Sequence, residues 1–156
     1  MVQKTLVRTN SNKVSTRSLR NLSMTEEDLQ SAIIELAQLY GWHIHHVRPA
    51  RSIRGWWTPV QGNIGFCDLV LAKDGCVIFA ELKSERGRIR PEQVDWMHAL
   101  SGENWKSGEI SPSFREVDGG KWIAVVLWRP RDWSSGVIET VLRGGGQSST
   151  NKNSGR

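Results

Sequence analysis

The first regular pattern of apolar and polar positions begins at Thr25, in the stretch TEEDLQSAIIELAQLYG. Apolar residues recur there every three or four positions, which places them on one face of a helix. The residues that share this face are Leu29, Ile33, Leu36 and Tyr40. Threonine is a favoured N-cap residue, acids follow it in the first turn, and a glycine stands at the end. The pattern therefore predicts an amphipathic helix.

The following segments predict mainly strands. WHIHHV is a short strand, FCDLVLA and CVIFAELK are two strands joined by the turn KDG, and KWIAVVLWRP is an apolar strand ended by proline. Pro91 suits the first turn of a helix in PEQVDWMHAL, and SGVIETVLR predicts a last short helix. Residues 48–65 and 101–120 are expected to be loops. The order α-β-β-β-α-β-α predicts an α/β or α+β sheet covered by helices.

Charge divides the chain into three parts. Residues 1–23 carry five basic residues and no acid, and residues 144–156 carry two and no acid, so the net charge of +5 leaves 24–143 at −2. We predict a disordered basic arm over 1–23, one folded domain over 24–143 and a flexible Gly/Ser-rich tail over 144–156. Because the basic excess lies in the tails, the global charge is poor evidence for a nucleic-acid-binding body.

Apolar runs and cysteines bear on the compartment. No run reaches the roughly 18–20 apolar residues of a membrane span, and no signal-peptide pattern opens the chain. Cys67 and Cys76 form no CxxC pair, which favours a reduced protein over a disulfide-bonded one. We therefore expect a cytoplasmic protein that does not contact a membrane.

Three charged residues interrupt the two strands of the predicted hairpin. Side chains alternate along a strand, so Glu81 and Lys83 share one face of the second strand. Asp68 on the neighbouring strand can lie beside Glu81, and two carboxylates that close repel each other unless a cation lies between them. Mg²⁺, which prefers oxygen ligands, resolves the conflict. An ordinary cross-strand salt bridge with Lys83 explains the same spacing equally well.

The surroundings resemble the PD-(D/E)XK nuclease superfamily, in which an acid on one strand is followed by Glu-x-Lys on the next. GFCDLVLAKDGCVIFAELKSERGRIRPEQVDWMHAL is most similar to the VRR-NUC branch, especially its small stand-alone phage members. The first helix and VVLWRPRDW also resemble this branch, so the resemblance covers most of residues 25–143. It implies a restriction-endonuclease-like central mixed β-sheet flanked by helices, and a metal-dependent endodeoxyribonuclease.

The same resemblance implies a role for individual residues. Asp68, Glu81 and the backbone carbonyl of Leu82 would be ligands of Mg²⁺, for which Mn²⁺ could substitute, and Lys83 would position or activate the attacking water. Glu26 would add a metal-site carboxylate, although a first-turn acid is also favoured by the helix dipole alone. Gln93 would hydrogen-bond near the metal water or a phosphate, or would simply be a polar residue of an exposed first turn.

The chain departs from the family pattern at two places. Cys67 stands where the family usually has a proline before the first strand acid; proline is not a ligand, so we expect the metal site to survive. The stretch 101–120 is longer and more polar than the short link usual there.

Two basic loops flank the three charged residues and are candidates for binding DNA. Cations pair with phosphates, and tryptophan stacks on unpaired bases. The candidates are Arg48, Arg51, Arg54, Trp56 and Trp57 in the first loop and Arg86, Arg88 and Arg90 in the second. The alternative is that the tryptophans only pack the loop and the arginines are solvated. Trp128-Arg129-Pro130 resembles a family signature, for which we expect a structural role, with a phosphate contact by Arg129 as the alternative.

These observations lead to one main hypothesis and two rivals. The main hypothesis is a Mg²⁺-dependent endonuclease that cuts branched DNA, as in Holliday junction resolution, and acts as a homodimer in a host cytoplasm if phage-encoded. The first rival is a less specific nuclease that processes flaps, ends or duplex DNA. The second is a nucleic-acid-binding or virion module without activity. The junction preference rests on the resemblance alone.

Overall fold

The computed structural model describes residues 24–47, 50–52, 55–57, 61–103 and 112–144, with backbone only for 50–52 and 55–57. The predicted arm over 1–23 and nearly all of the predicted tail over 144–156 lie outside these ranges. The described helices, in chain order, are α1 (Glu26–Leu39), α2 (Pro91–Ser101), α3 (Pro130–Ser134) and α4 (Val137–Leu142). The described strands are β1 (His43–His46), β2 (Ala50–Ser52), β3 (Gly55–Trp57), β4 (Leu69–Lys73), β5 (Cys76–Leu82), β6 (Ser113–Asp118) and β7 (Lys121–Trp128).

Five of these strands form one mixed sheet in the order β1-β4-β5-β7-β6. The hairpin β4–β5 is antiparallel, and β5 pairs with β7 in parallel. A parallel pair needs a long crossover, and α2 lies in the segment that joins β5 to β7. The predicted α/β class is therefore confirmed: a mixed sheet is flanked by helices. This arrangement is compatible with the restriction-endonuclease-like architecture.

The alternation of residues along β5 separates the two layers of the core. Ile78, Ala80 and Leu82 face the larger cluster, which contains buried residues of α1 and α4. Phe79 faces a second cluster with Met97 of α2. The sheet is thus covered by α1 and α4 on one face and by α2 on the other. Apart from Glu81 near its end, the central strand is apolar on both faces, as expected for a strand buried between helices.

Helix α1 starts and ends where the sequence pattern predicts. Thr25 is the N-cap, and it forms a capping box with Asp28, whose backbone N–H donates to Thr25 Oγ1 at 3.1 Å. The chain leaves the helix through Gly41 in the left-handed region (φ 77°), which favours glycine. The fully buried residues are Leu29, Ile33 and Ala37, whereas the predicted Leu36 is only partly buried.

Four elements were not predicted: β2, β3, β6 and α3. The expected loop 48–65 contains the short hairpin β2–β3, and the expected connection 101–120 contains β6. In β6 only Ser113 is buried, so this strand lacks the apolar alternation that marks a half-buried strand. Helix α3 follows directly from Pro130, which occupies its first turn.

No helix in the part of the chain that the structure describes is long and apolar enough to cross a membrane.

Candidate active site

Asp68 directly precedes β4 instead of lying within it. The register pairs Leu69 with Ala80, so Asp68 falls opposite Glu81 at the end of the hairpin. The backbone N–H of Leu82 donates to Asp68 Oδ2 at 2.8 Å. This bond holds one carboxylate oxygen against the neighbouring strand and brings the two predicted carboxylates together.

Glu81 is the most deeply buried ionisable residue of the site, with a relative exposure of 1%. Burial, followed by repulsion from Asp68, raises the pKa of its carboxyl to about 7, although Lys83 opposes the rise. Its Oε1 accepts hydrogen bonds from Lys83 Nζ and from Gln93 Nε2. Its Oε2 is shielded from solvent and has no hydrogen-bond partner among the described residues. An acceptor buried in this way is costly unless a cation or donor meets it.

Lys83 lies just beyond β5 and is 9% exposed. Its backbone N–H donates to Trp128 O at 3.1 Å, so β7 still holds the chain at this point. The ammonium contacts Glu81 Oε1 and also donates to Leu82 O at 2.9 Å. The charged end of Lys83 therefore lies among the oxygens that the sequence predicted as metal ligands.

Gln93 reaches the site from the first turn of α2 and is 4% exposed. Its Oε1 accepts from Arg90 N at 3.0 Å, which leaves its amide nitrogen to donate to Glu81. The interpretation of Gln93 as an exposed first-turn residue is therefore wrong. It is a buried partner of the proposed metal carboxylate.

Glu26 enters the site from the first turn of α1. Its Oε2 accepts a hydrogen bond from Ser84 N at 3.0 Å, one residue past Lys83. The described residues contain no group of three His, Cys, Asp or Glu side chains placed to hold a metal ion. A role for Glu26 as an additional metal carboxylate therefore stays a prediction, while its contact with the loop after Lys83 is observed.

The remaining donor set suits a divalent cation. Two carboxylates and the carbonyl of Leu82 converge, and these hard oxygens are the ligands that Mg²⁺ prefers. Within this set, Oε2 of Glu81 is buried and has no hydrogen-bond partner among the described residues, so it can accept a cation. The ammonium of Lys83 contacts Glu81 Oε1 and Leu82 O, so positive charge already lies beside these oxygens. The residues therefore fit the metal that the resemblance implies.

These side chains open onto a cleft of about 360 Å³. The residues that line it include Glu26, Asp68, Lys83, Arg88, Arg90 and Gln93. A larger cleft of about 510 Å³ lies between residues 62–64 and α2, but its charged lining residues are Glu92 and Asp95. The smaller cleft sets Lys83, Arg88 and Arg90 against its own carboxylates, whereas no cation is among the described lining residues of the larger cleft. The smaller cleft is therefore the better candidate for binding a nucleic-acid backbone.

Cys67 precedes Asp68 where the resembled family has proline. Burial raises the pKa of its thiol to about 12, with added repulsion from Glu81 and Asp68. The thiol lies 3.5 Å from Leu69 O, to which it donates a weak hydrogen bond. Because the thiolate is the reactive form, this cysteine is a packing residue and not a nucleophile. Both cysteines are free.

The predicted DNA-binding residues are placed unequally. Arg88 and Arg90 line the cleft, and Arg86 is exposed on the same loop. Arg48 and Arg54 lie outside the described residues. Arg51 belongs to β2, and Trp56 and Trp57 belong to β3, where only the backbone is described. The contribution of this first loop stays a prediction.

Sequence reasoning missed a histidine behind the site. His46 Nδ1 lies 2.9 Å from Asp68 O, and a carbonyl only accepts, so Nδ1 carries the proton. The other ring nitrogen then accepts from Gln30 Nε2 at 2.9 Å. These two hydrogen bonds, from Gln30 of α1 to His46 of β1 and from His46 to Asp68 O, hold the backbone of Asp68. Single histidines carry no spacing signal that would have identified it.

The structural role expected for Trp128-Arg129-Pro130 takes the form of contacts that the sequence did not reveal. The Arg129 guanidinium donates to Ser84 O at 2.6 Å and to Gly87 O at 2.9 Å. These bonds join two segments that are more than forty residues apart in the sequence. An arginine side chain gives no indication in the sequence of which distant carbonyls it will meet.

Comparison of the chain with protein-family models, curated proteins and solved structures gave no match.

Proposed function

We propose that the chain is a Mg²⁺-dependent DNA endonuclease that hydrolyses backbone phosphodiesters. The observation that carries the proposal is the convergence of Asp68, Glu81 and Lys83 at the end of a strand pair, beside a cleft that contains Arg88 and Arg90. A buried acid with a raised pKa, a buried lysine and exposed arginines at one place are typical of sites that handle phosphate esters.

Asp68, Glu81 and the carbonyl of Leu82 would hold the ion, for which Mn²⁺ could substitute. Bound there, the ion would offset the repulsion between the carboxylates and withdraw charge from a phosphoryl oxygen. Gln93 keeps Glu81 in place by donating to Oε1, and the other oxygen of Glu81, which has no hydrogen-bond partner among the described residues, would be available to the ion. Asp68 is fixed by Leu82 N and by His46.

Lys83 would act on the substrate itself. Its ammonium can donate to a phosphoryl oxygen or orient the attacking water, since a lysine carries three N–H donors. In the hydrolysis, the water oxygen forms a bond to phosphorus, and the bond from phosphorus to the leaving sugar oxygen breaks. Arg88 and Arg90 would pair with neighbouring phosphates along the cleft.

The preferred substrate is a branched DNA such as a four-way junction, with a homodimer cutting both sides of the branch in the host cytoplasm. The resemblance to small phage VRR-NUC proteins supports this choice. The first rival, a less specific nuclease on flaps, ends or duplex, uses the same site.

A catalytically silent nucleic-acid-binding module is favoured by one specific contact. Lys83 contacts Glu81 and Leu82 O, which are the oxygens needed for the metal, and a permanent ion pair there would exclude it. A persistent Lys83–Glu81 pair would make the site inert, whereas a cation that displaces the ammonium would make it catalytic. Catalysis separates the two.

The test is a panel of four-way junction, flap, linear duplex and single-stranded DNA, each incubated with Mg²⁺ and with EDTA. We expect cutting of the junction that requires Mg²⁺ and is lost in Asp68→Asn and Lys83→Met. Asparagine can still accept from Leu82 N, so its effect isolates the lost charge. Asp118→Asn, an exposed position at the end of β6, is the matched control and should cut normally.

Each other outcome has a definite meaning. Equal cutting of all duplex forms supports the less specific nuclease. Binding without cutting in Mg²⁺ and in Mn²⁺ supports the silent module. Full cutting by Asp68→Asn removes the metal-site proposal. Size-exclusion chromatography with light scattering decides whether the active form is a dimer.

A further inference from the structure

The loop directly after Lys83 is a tight turn. The backbone N–H of Gly87 donates to Ser84 O at 3.0 Å, closing a turn over residues 84–87. This turn connects Lys83 to Arg88, and both side chains line the cleft. Its conformation therefore sets where the buried lysine and the exposed arginine lie relative to each other.

Arg129, which directly follows β7, forms hydrogen bonds to this turn. Its Nη1 donates to Ser84 O at 2.6 Å and to Glu85 O at 3.3 Å, and its Nη2 donates to Gly87 O at 2.9 Å. The preceding residue, Trp128, accepts from Lys83 N at 3.1 Å. Consecutive residues of β7 and its extension thus hold the chain from Lys83 to Gly87.

The guanidinium is suited to this task because its donors form a planar fork that can bond several carbonyls at once. Charge-assisted bonds of this kind are stronger than neutral ones. Arg129 is half-buried, and its own backbone N–H donates to Asp132 Oδ2 at 2.8 Å. Both terminal nitrogens of the Arg129 guanidinium donate to backbone carbonyls of the turn, whereas the Arg88 side chain is exposed.

We propose that Arg129 is a positioning residue, which fixes the turn over residues 84–87 and thereby aligns Lys83 for the reaction. It acts through the turn and not by contacting phosphate. The catalytic half of this inference rests on the proposed nuclease function, whereas the effect on the turn does not.

The experiment compares Arg129→Ala and Arg129→Lys with two control variants. Arg131→Ala removes a nearby arginine that pairs with Glu85 at 2.9 Å on the exposed surface, where ion pairs contribute little. Arg88→Ala removes an arginine that we assign to phosphate binding. Three quantities are measured: amide hydrogen exchange of residues 83–90, single-turnover cutting of a four-way junction with Mg²⁺, and junction affinity against salt concentration in Ca²⁺.

We expect Arg129→Ala to speed exchange in residues 83–90 at least about tenfold and to slow cutting by a similar factor. Exchange of β4, and junction affinity with its salt dependence, should stay as in the unaltered protein, because no phosphate contact is lost. Arg129→Lys should restore part of the protection, since one ammonium can bond one or two of the carbonyls. Arg88→Ala should instead reduce the salt slope by about 0.9 and leave the exchange unchanged. Arg131→Ala should change none of the three measured quantities by more than about twofold.

A reduced salt slope in Arg129→Ala with unchanged exchange would overturn the proposal and assign Arg129 to phosphate binding. Unchanged exchange with unchanged slope would overturn it as well. If Arg129→Ala does not fold, the same comparison is made with Arg129→Lys, which keeps the charge but not the fork. If the unaltered protein cuts no DNA, the nuclease proposal fails, and the exchange data alone still decide whether Arg129 holds the turn.

Discussion

The side-chain amide of Gln93 donates a hydrogen bond to Oε1 of Glu81, joining the first turn of α2 to the end of β5. The orientation of this amide is fixed, because the Gln93 oxygen accepts from Arg90 N at 3.0 Å. Lys83 contacts the same oxygen of Glu81. One carboxylate oxygen is thus engaged twice, and the other has no hydrogen-bond partner among the described residues. Helix α2 and the strand end therefore fix the orientation of this buried carboxylate, as the proposed function requires.

The raised pKa of Glu81 predicts how stability depends on pH when EDTA is present. The folded protein binds this proton more tightly than the unfolded chain, in which the pKa is near 4.5, so the free energy of unfolding falls as pH rises from 4.5 to about 7. The full effect is on the order of 3 kcal/mol. Glu81→Gln should remove this part of the pH dependence. Urea unfolding at pH 5 and at pH 8 measures this difference in unfolding free energy. Glu35→Gln, at an exposed position, is the control. If the unfolding free energy of Glu81→Gln falls between the two pH values as much as that of the unaltered protein, the prediction is contradicted.

Lys83 is predicted to oppose metal binding while it supports the reaction. Its ammonium contacts Glu81 and Leu82 O, so Lys83→Met removes a positive charge from the site of a divalent ion. We expect the affinity for Mn²⁺ at pH 8.5, measured by calorimetry without DNA, to rise about tenfold, or roughly 1.4 kcal/mol, while cutting is lost. Lys121→Met, at an exposed position at the start of β7, should change neither. Weaker Mn²⁺ binding by Lys83→Met would show that Lys83 instead helps to assemble the ligands.

Glu26 can be assigned to the metal or to the loop by two substitutions. Its observed contact is the hydrogen bond from Ser84 N, and a glutamine oxygen can accept the same bond. We therefore expect Glu26→Gln to keep Mn²⁺ affinity and cutting within about threefold, and Glu26→Ala to slow cutting about tenfold, as for the loss of a bond to a charged group. If Glu26 is a metal carboxylate instead, Glu26→Gln will lose Mn²⁺ affinity as severely as Glu26→Ala.

Gly65 holds the segment before Asp68 against α2. It has φ 90°, and an added Cβ would lie 2.7 Å from the backbone carbon of Glu92. Gly62 has φ 107° but nothing within 4 Å of its added Cβ, so it is a control for backbone strain alone. We expect Gly62→Ala to cost about 1 kcal/mol of unfolding free energy and Gly65→Ala about 1–3 kcal/mol more, because the first turn of α2 must shift. Gly65→Ala should also slow cutting through the displacement of Gln93. Equal unfolding free energies for the two variants would contradict this.

The centre of the fold was predictable because its residues follow simple periodicities. The hairpin β4–β5 combines apolar strands with a Lys-Asp-Gly turn, and strand alternation placed Glu81 and Lys83 on one side. Helix α1 could be predicted from the N-cap residue Thr25 and from the helical spacing of Leu29 and Ile33. These features are local, so a short window of sequence contains all the information that they require.

The features that escaped prediction depend on contacts between distant segments. Strand β6 is held by β7 and not by a buried face of its own, so its residues show no alternation. His46 and Arg129 donate hydrogen bonds to backbone carbonyls. Every residue type has a backbone carbonyl, so the sequence does not show which ones these side chains contact. The burial of Gln93 was likewise hidden, since only the packing of α2 on the sheet turns it inwards.

In the part of the chain that the structure describes, β6 is the outermost strand beside β7, and a register shift interrupts its pairing between Glu116 and Asp118. Such a shift twists a strand, and Arg115, Glu116 and Asp118 place charge along it. An incoming strand from another molecule would meet an irregular, charged ladder instead of a flat template. The β6 edge is therefore a poor template for edge-to-edge addition of further strands when the protein is concentrated.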